Sequence, residues 1–117
     1  MKRLFAFLLM VAVVALLHLH YGCAAQNISR QRHTEATVAL DTLVNEYMIE
    51  YRKSDFYTQV YWRYRIDPEI KKARIGLFSW ENAIAVKEYN IAKEKERYFL
   101  IAKDRLMFIL IKEEVME

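Results

Sequence analysis

The chain has 117 residues and a formal net charge of +3, with 55% hydrophobic and 28% charged residues, two glycines, one proline and one cysteine. This is one small domain's worth of chain; the lone cysteine excludes an intramolecular disulfide, and the scarcity of glycine and proline excludes a β-sandwich or barrel, which needs turn residues every ~10 positions. Lys2 and Arg3 supply two of the eighteen basic residues, and the sixteen that remain face fifteen acidic ones, so the body of the chain has no basic excess to mark a nucleic-acid partner.

The N-terminus reads as an export signal. Lys2 and Arg3 precede an uninterrupted apolar run over residues 4–17, which ends in His18-Leu19-His20-Tyr21-Gly22-Cys23-Ala24-Ala25. A cationic start, an apolar stretch and a small-residue exit are the three parts of such a signal. The run is short of the ~20 residues a helix needs to cross a bilayer. The two cations hold the N-terminus on the cytoplasmic side, so the remainder of the chain is expected to be exported. Leu19-His20-Tyr21-Gly22-Cys23 resembles the processing site of bacterial lipoprotein precursors. The resemblance implies that residues 1–22 are removed and that Cys23 becomes an acylated first residue. With Ala24 next, it also implies sorting to the outer membrane of a Gram-negative cell. Two other outcomes stay open: cleavage nearby without lipid, and retention of residues 4–25 as a single-pass anchor.

From residue 23 onward the composition predicts an all-α domain, a long antiparallel helical hairpin with a possible third helix. The first helix is expected over about residues 29–66, with Ser29, Thr34 or Thr37 as its N-cap. Ala36, Leu40, Leu43, Val44, Tyr47 and Tyr51 recur at helical spacing and form one apolar stripe. Residues 56–66 mix strand-favouring types, and helix is preferred there because the flanks are helical and no tight hairpin turn comes after them. Asp67-Pro68-Glu69 marks the start of a second helix over about residues 68–115, since proline suits the first helical position and an acid suits the positive end of the dipole. Its apolar face is expected to carry Ile70, Ala73, Leu77, Trp80, Ile84, Ile91 and Tyr98. At ~1.5 Å per residue it would overhang the first helix unless it breaks. Gly76 or Ser79, within residues 76–80, is the candidate break. Residues 106–111 are apolar on every side, which predicts either the most enclosed part of the fold or a self-association patch.

Little in the sequence points to bond-making. His33 is the only histidine past the signal and is expected to be solvated; no zinc or di-iron ligand spacing occurs. Ser29, Ser54 and Ser79 lack a nucleophile motif, and glycine-rich phosphate loops are missing. We therefore expect no enzyme, no cofactor, no metal and no small-molecule substrate. One constellation stands out: Tyr57, Tyr61, Trp62, Arg63, Tyr64 and Arg65, an aromatic and basic cluster suited to partner binding. Against it stands the simpler role of packing and covering the helical hairpin, and a membrane interface is a further possibility. The expected partners are the membrane, through lipid or the N-terminal helix, and another envelope protein or a second copy. A small envelope enzyme inhibitor is the reading from another class.

Overall fold

The computed structural model describes residues 2–116, with the side chains of residues 18–25 outside the description. Four helices account for the fold: α1 (Lys2–Lys53), α2 (Phe56–Arg65), α3 (Asp67–Ala85) and α4 (Tyr89–Lys112). The protein is all-α, and no strand occurs among the described residues. It is a rod of 83 × 18 × 18 Å. With 52 residues, α1 runs nearly the whole length, ~78 Å.

The second half of α1 packs antiparallel to α3. Ser29 meets Trp80, His33 meets Leu77 and Tyr47 meets Asp67. Helix α4 turns back along α3, bringing Phe99 beside Gly76 and Arg105 beside Glu69. Arg32 of α1 accordingly lies near Glu96 of the parallel α4. The contacts along each seam fall at alternating steps of three and four: Ser29, His33, Ala36, Leu40, Leu43 and Tyr47 on α1; Ile70, Ala73, Leu77, Trp80 and Ile84 on α3; Phe99, Ala102, Leu106 and Ile109 on α4. That is the spacing of a coiled-coil seam, which keeps one stripe of each helix facing its neighbours. The expected α1 and α3 stripes form one side of the core, where Leu40, Tyr47, Ala73 and Trp80 are all but inaccessible, and α4 supplies much of the rest through Phe99, Leu106 and Leu110.

The helix boundaries correct the sequence reading in three places. The helix expected over residues 29–66 has no start at Ser29, Thr34 or Thr37, because α1 passes through them; the Thr34 and Thr37 hydroxyls donate to the carbonyls of Arg30 and His33, one turn back. It ends at Lys53 rather than residue 66. Asp55 caps a separate α2, its carboxylate accepting the Thr58 N–H at 2.7 Å, and that bond holds the carboxyl below the usual aspartate range. Residues 56–65 are helical, as preferred over strand. The third correction concerns the later break. Gly76 and Ser79 lie inside α3, and the chain turns at residues 86–88 instead.

Gly76 is a contact point, not a hinge. A Cβ there would stand 3.2 Å from the Phe99 Cα and 3.2 Å from the Tyr98 ring, so glycine is what lets α3 and α4 approach. The actual turn uses Lys87 at φ 61°, with Lys87 N–H donating to Ile84 O and Glu88 N–H to Ala83 O, both at 3.0 Å. These bonds satisfy the last carbonyls of α3. Glu114, at φ 58°, ends α4 the same way and tucks Val115 into the core. The turn also resets the helical phase, which is why Ile91 and Tyr98, expected on the core face, are 41% and 49% exposed. Left-handed backbone costs a non-glycine residue about 1–2 kcal/mol. Lys87→Gly should therefore stabilise the protein by about 1 kcal/mol, read as a rise in Tm of about 4–8 °C in a thermal melt followed by circular dichroism.

Residues 106–111 are enclosed on one side only: Leu106, Ile109 and Leu110 are buried, whereas Phe108 and Ile111 are exposed. His33 also departs from expectation. It is half-buried, its ring edge-on to Trp80 at 5.0 Å, and its Nε2–H donates to the Leu77 carbonyl at 2.9 Å. Among the described residues no helix is long and apolar enough to cross a membrane.

Candidate functional site

Helix α2 closes the end of the bundle where α1 stops, α3 starts and α4 finishes. It inserts Trp62, which is buried with its ring 6.1 Å from that of Tyr47. Ile66, just past α2, is fully buried beside it in the core. Trp62, expected to bind a partner, is instead a core residue, because it sits on the one stripe of α2 that faces the bundle. Arg65 is half-buried and its Nε lies 3.6 Å from Glu113 Oε1. Tyr61 donates its hydroxyl to the same oxygen at 3.4 Å. Arg63 donates to the Tyr51 hydroxyl and lies over that ring, 5.5 Å from its centroid. A cation over an aromatic face is attracted by the ring's electron density. Thus Arg63, Arg65 and Tyr61 also fasten α2 to the bundle.

Tyr57 and Tyr64 are different, at 83% and 78% exposed. At 100° per residue they share one face of α2 with Phe56, Val60 and Tyr61, all exposed, within an arc of about 140°. Sequence reasoning found the tyrosines but missed Phe56 and Val60; the Asp55 cap was the available signal, since it sets where α2 begins and hence which residues share a face. No charged residue interrupts this face. Arg63 and Arg65 border it, and Arg52 and Lys53 precede it, while Asp55 is the sole acid in residues 51–66. The outcome is an amphipathic helix laid with its aromatic face to solvent.

Beneath α2, the Tyr47 hydroxyl donates to Asp67 Oδ1 at 3.1 Å. Burial, and then the Asp67 charge and hydrogen bond, push the phenol's pKa well above its ordinary value. A raised pKa means the neutral phenol stabilises the fold fully below pH ~10, the unfolded value, and this contribution is lost as pH climbs beyond it. Tyr47→Phe should cost about 1–2 kcal/mol at neutral pH. In urea titrations the gap between the two proteins should narrow above pH ~10.

Two other features have the shape or charge of a site. A groove of about 520 Å³ between α1 and α3 is lined by Val44, Met48, Ile70 and Phe78, with Asp67, Lys71 and Arg74 on its rim. Near α2, the buried carboxylate of Glu69 lies 3.5 Å from Lys72 Nζ and 3.4 Å from Arg105 Nε. Both its partners come from the bundle itself, and the trio joins α3 to α4. Among the described residues no three His, Cys, Asp or Glu side chains converge where they could hold a metal ion. The Cys23 side chain, expected to carry lipid, lies outside the described residues. No family model matches the chain, and neither a curated protein nor a solved structure matches it.

Proposed function

We propose that the chain is the precursor of an exported, membrane-tethered, non-enzymatic helical lipoprotein that serves as an interaction or structural module of the cell envelope. The observation that carries this reading is the first part of α1. It projects past the bundle with eleven large apolar side chains between Leu4 and Leu17 exposed at 46–70%. So much contiguous apolar surface marks a segment meant for lipid or for removal. Among the described residues the buried core begins only at Leu40 and the first side-chain hydrogen bond to the rest of the bundle is that of Ser29, which sets residues 4–17 apart from the domain. Its 14 apolar residues are too few to span, which favours a lipid on Cys23 as the lasting attachment.

One observation favours a second reading, a retained N-terminal helix: α1 is unbroken from Lys2 to Lys53. Intact-mass spectrometry of protein extracted from membranes separates the two. Loss of residues 1–22 with added acyl mass supports the lipoprotein. An intact start with no added mass supports the anchor, and full-length protein dissolved in cytosol overturns both.

A further inference from the structure

We propose that the outward aromatic face of α2 docks on an anionic bilayer surface, and that this surface belongs to a second membrane rather than the one holding the N-terminus. The inference rests on the tethered reading and names the partner of its far end. The face consists of Phe56, Tyr57, Val60, Tyr61 and Tyr64, all exposed. Tyrosine favours the boundary of a bilayer, where the ring sits among apolar atoms and the hydroxyl stays wet. Short amphipathic helices with aromatic and basic residues bind there, drawn to anionic headgroups by their cations. Arg52, Lys53, Arg63 and Arg65 supply those cations around α2; Glu50 lies 3.6 Å from Lys53 and Glu113 3.6 Å from Arg65, so Arg52 and the exposed Arg63 are the two whose charge no ion pair within the described residues offsets.

A protein partner fits this face less well. Ten residues give a strip about 15 Å long and one helix wide, far below the ~800 Å² per partner of a stable interface. The strip is also convex. A bilayer requires neither a large area nor a matching groove.

Position then selects which bilayer. Residue 23, the lipid-bearing position, and residue 53 are separated by ~45 Å of continuous helix. That attachment and α2 therefore lie at opposite ends of the tethered rod. A rod standing on its N-terminal attachment holds α2 out towards another surface at roughly that distance.

The test uses the full chain reconstituted in phosphatidylcholine donor vesicles, mixed with protein-free fluorescent acceptor vesicles. Acceptors containing phosphatidylglycerol should be captured at least about tenfold better than pure phosphatidylcholine acceptors. The double variant Tyr57→Ser with Tyr64→Ser, whose unchanged helicity is checked by circular dichroism, should lose at least about tenfold of that capture. Equal capture by the folded double variant overturns the proposal. So does capture confined to acceptors that themselves carry the protein, which identifies a second copy, or no capture at all, which leaves a protein as the partner. If the chain fails to float with its donors, it is the tethered reading that fails. The free chain is then added directly to phosphatidylglycerol vesicles, where binding lost in the double variant supports the α2 surface and binding unchanged overturns it.

Discussion

Phe99→Ala should remove about 3–5 kcal/mol of stability, the usual cost of emptying a buried phenylalanine site. Phe99 is inaccessible to solvent, its ring 6.2 Å from Trp80 and its backbone against Gly76. The site cannot collapse easily, because the residue facing it has no side chain to move into the space. Domains of this size hold only about 5–15 kcal/mol in total, so the loss is a fifth of the stability or more. Urea denaturation followed by circular dichroism reads the loss. Gly76→Leu attacks the same contact from the other side, by forcing α3 and α4 apart, and should cost about 1–3 kcal/mol. Ile101→Ala, on the exposed face of α4, should stay within about 0.5 kcal/mol of the parent. If Ile101→Ala costs as much as Phe99→Ala, α3 and α4 do not pack through Phe99 and Gly76.

Deleting residues 2–17 should leave the bundle's melting temperature unchanged and lower partition into membranes about 100-fold or more. Eleven large apolar side chains lie in that segment, all exposed. Full burial is worth about 1.5–3 kcal/mol for each such side chain. Even a small share of that exceeds the ~2.8 kcal/mol that 100-fold represents. Flotation of the two proteins with vesicles, alongside thermal melts, measures both halves of the expectation. A drop in Tm would mean that the projecting segment packs on the bundle after all.

The parts of the fold that could be read from the sequence are those fixed by near neighbours. The 3–4 spacing of apolar residues on α1 and α3 needs only local side-chain direction, and those stripes are buried in the core. Asp67-Pro68-Glu69 announces α3 through proline's fixed backbone angle. The missed features depend on distant contacts. Lys87 carries no turn signature, and it takes a left-handed geometry because the Ala83 and Ile84 carbonyls and the return of α4 over-determine it. His33 looks solvated locally, and its partners lie 44 residues or more along the chain. Ser54-Asp55 did carry a capping signal, but the helix-favouring flanks masked it.

At the candidate site the composition was visible and the orientation was not. Six residues were grouped as one cluster, yet α2 turns Trp62 inwards, uses Arg63 and Arg65 as fastenings, and leaves Tyr57 and Tyr64 outermost. Alternation of roles along a helix depends on what the helix lies against, and here that is the end of a bundle assembled from three other elements.

The unbroken course of α1 has a mechanical consequence. A load applied at the N-terminal attachment and resisted at the end of α4 pulls α1 lengthwise against α3 and α4, so it meets the contacts from Ser29 to Tyr47 in shear, all at once, rather than peeling them one after another. Slipping by one turn would move α1 by ~5.4 Å and strand the Ser29 hydroxyl and His33 imidazole against apolar layers. The molecule is therefore built as a strut that resists being stretched, with its polar layer acting as the detent.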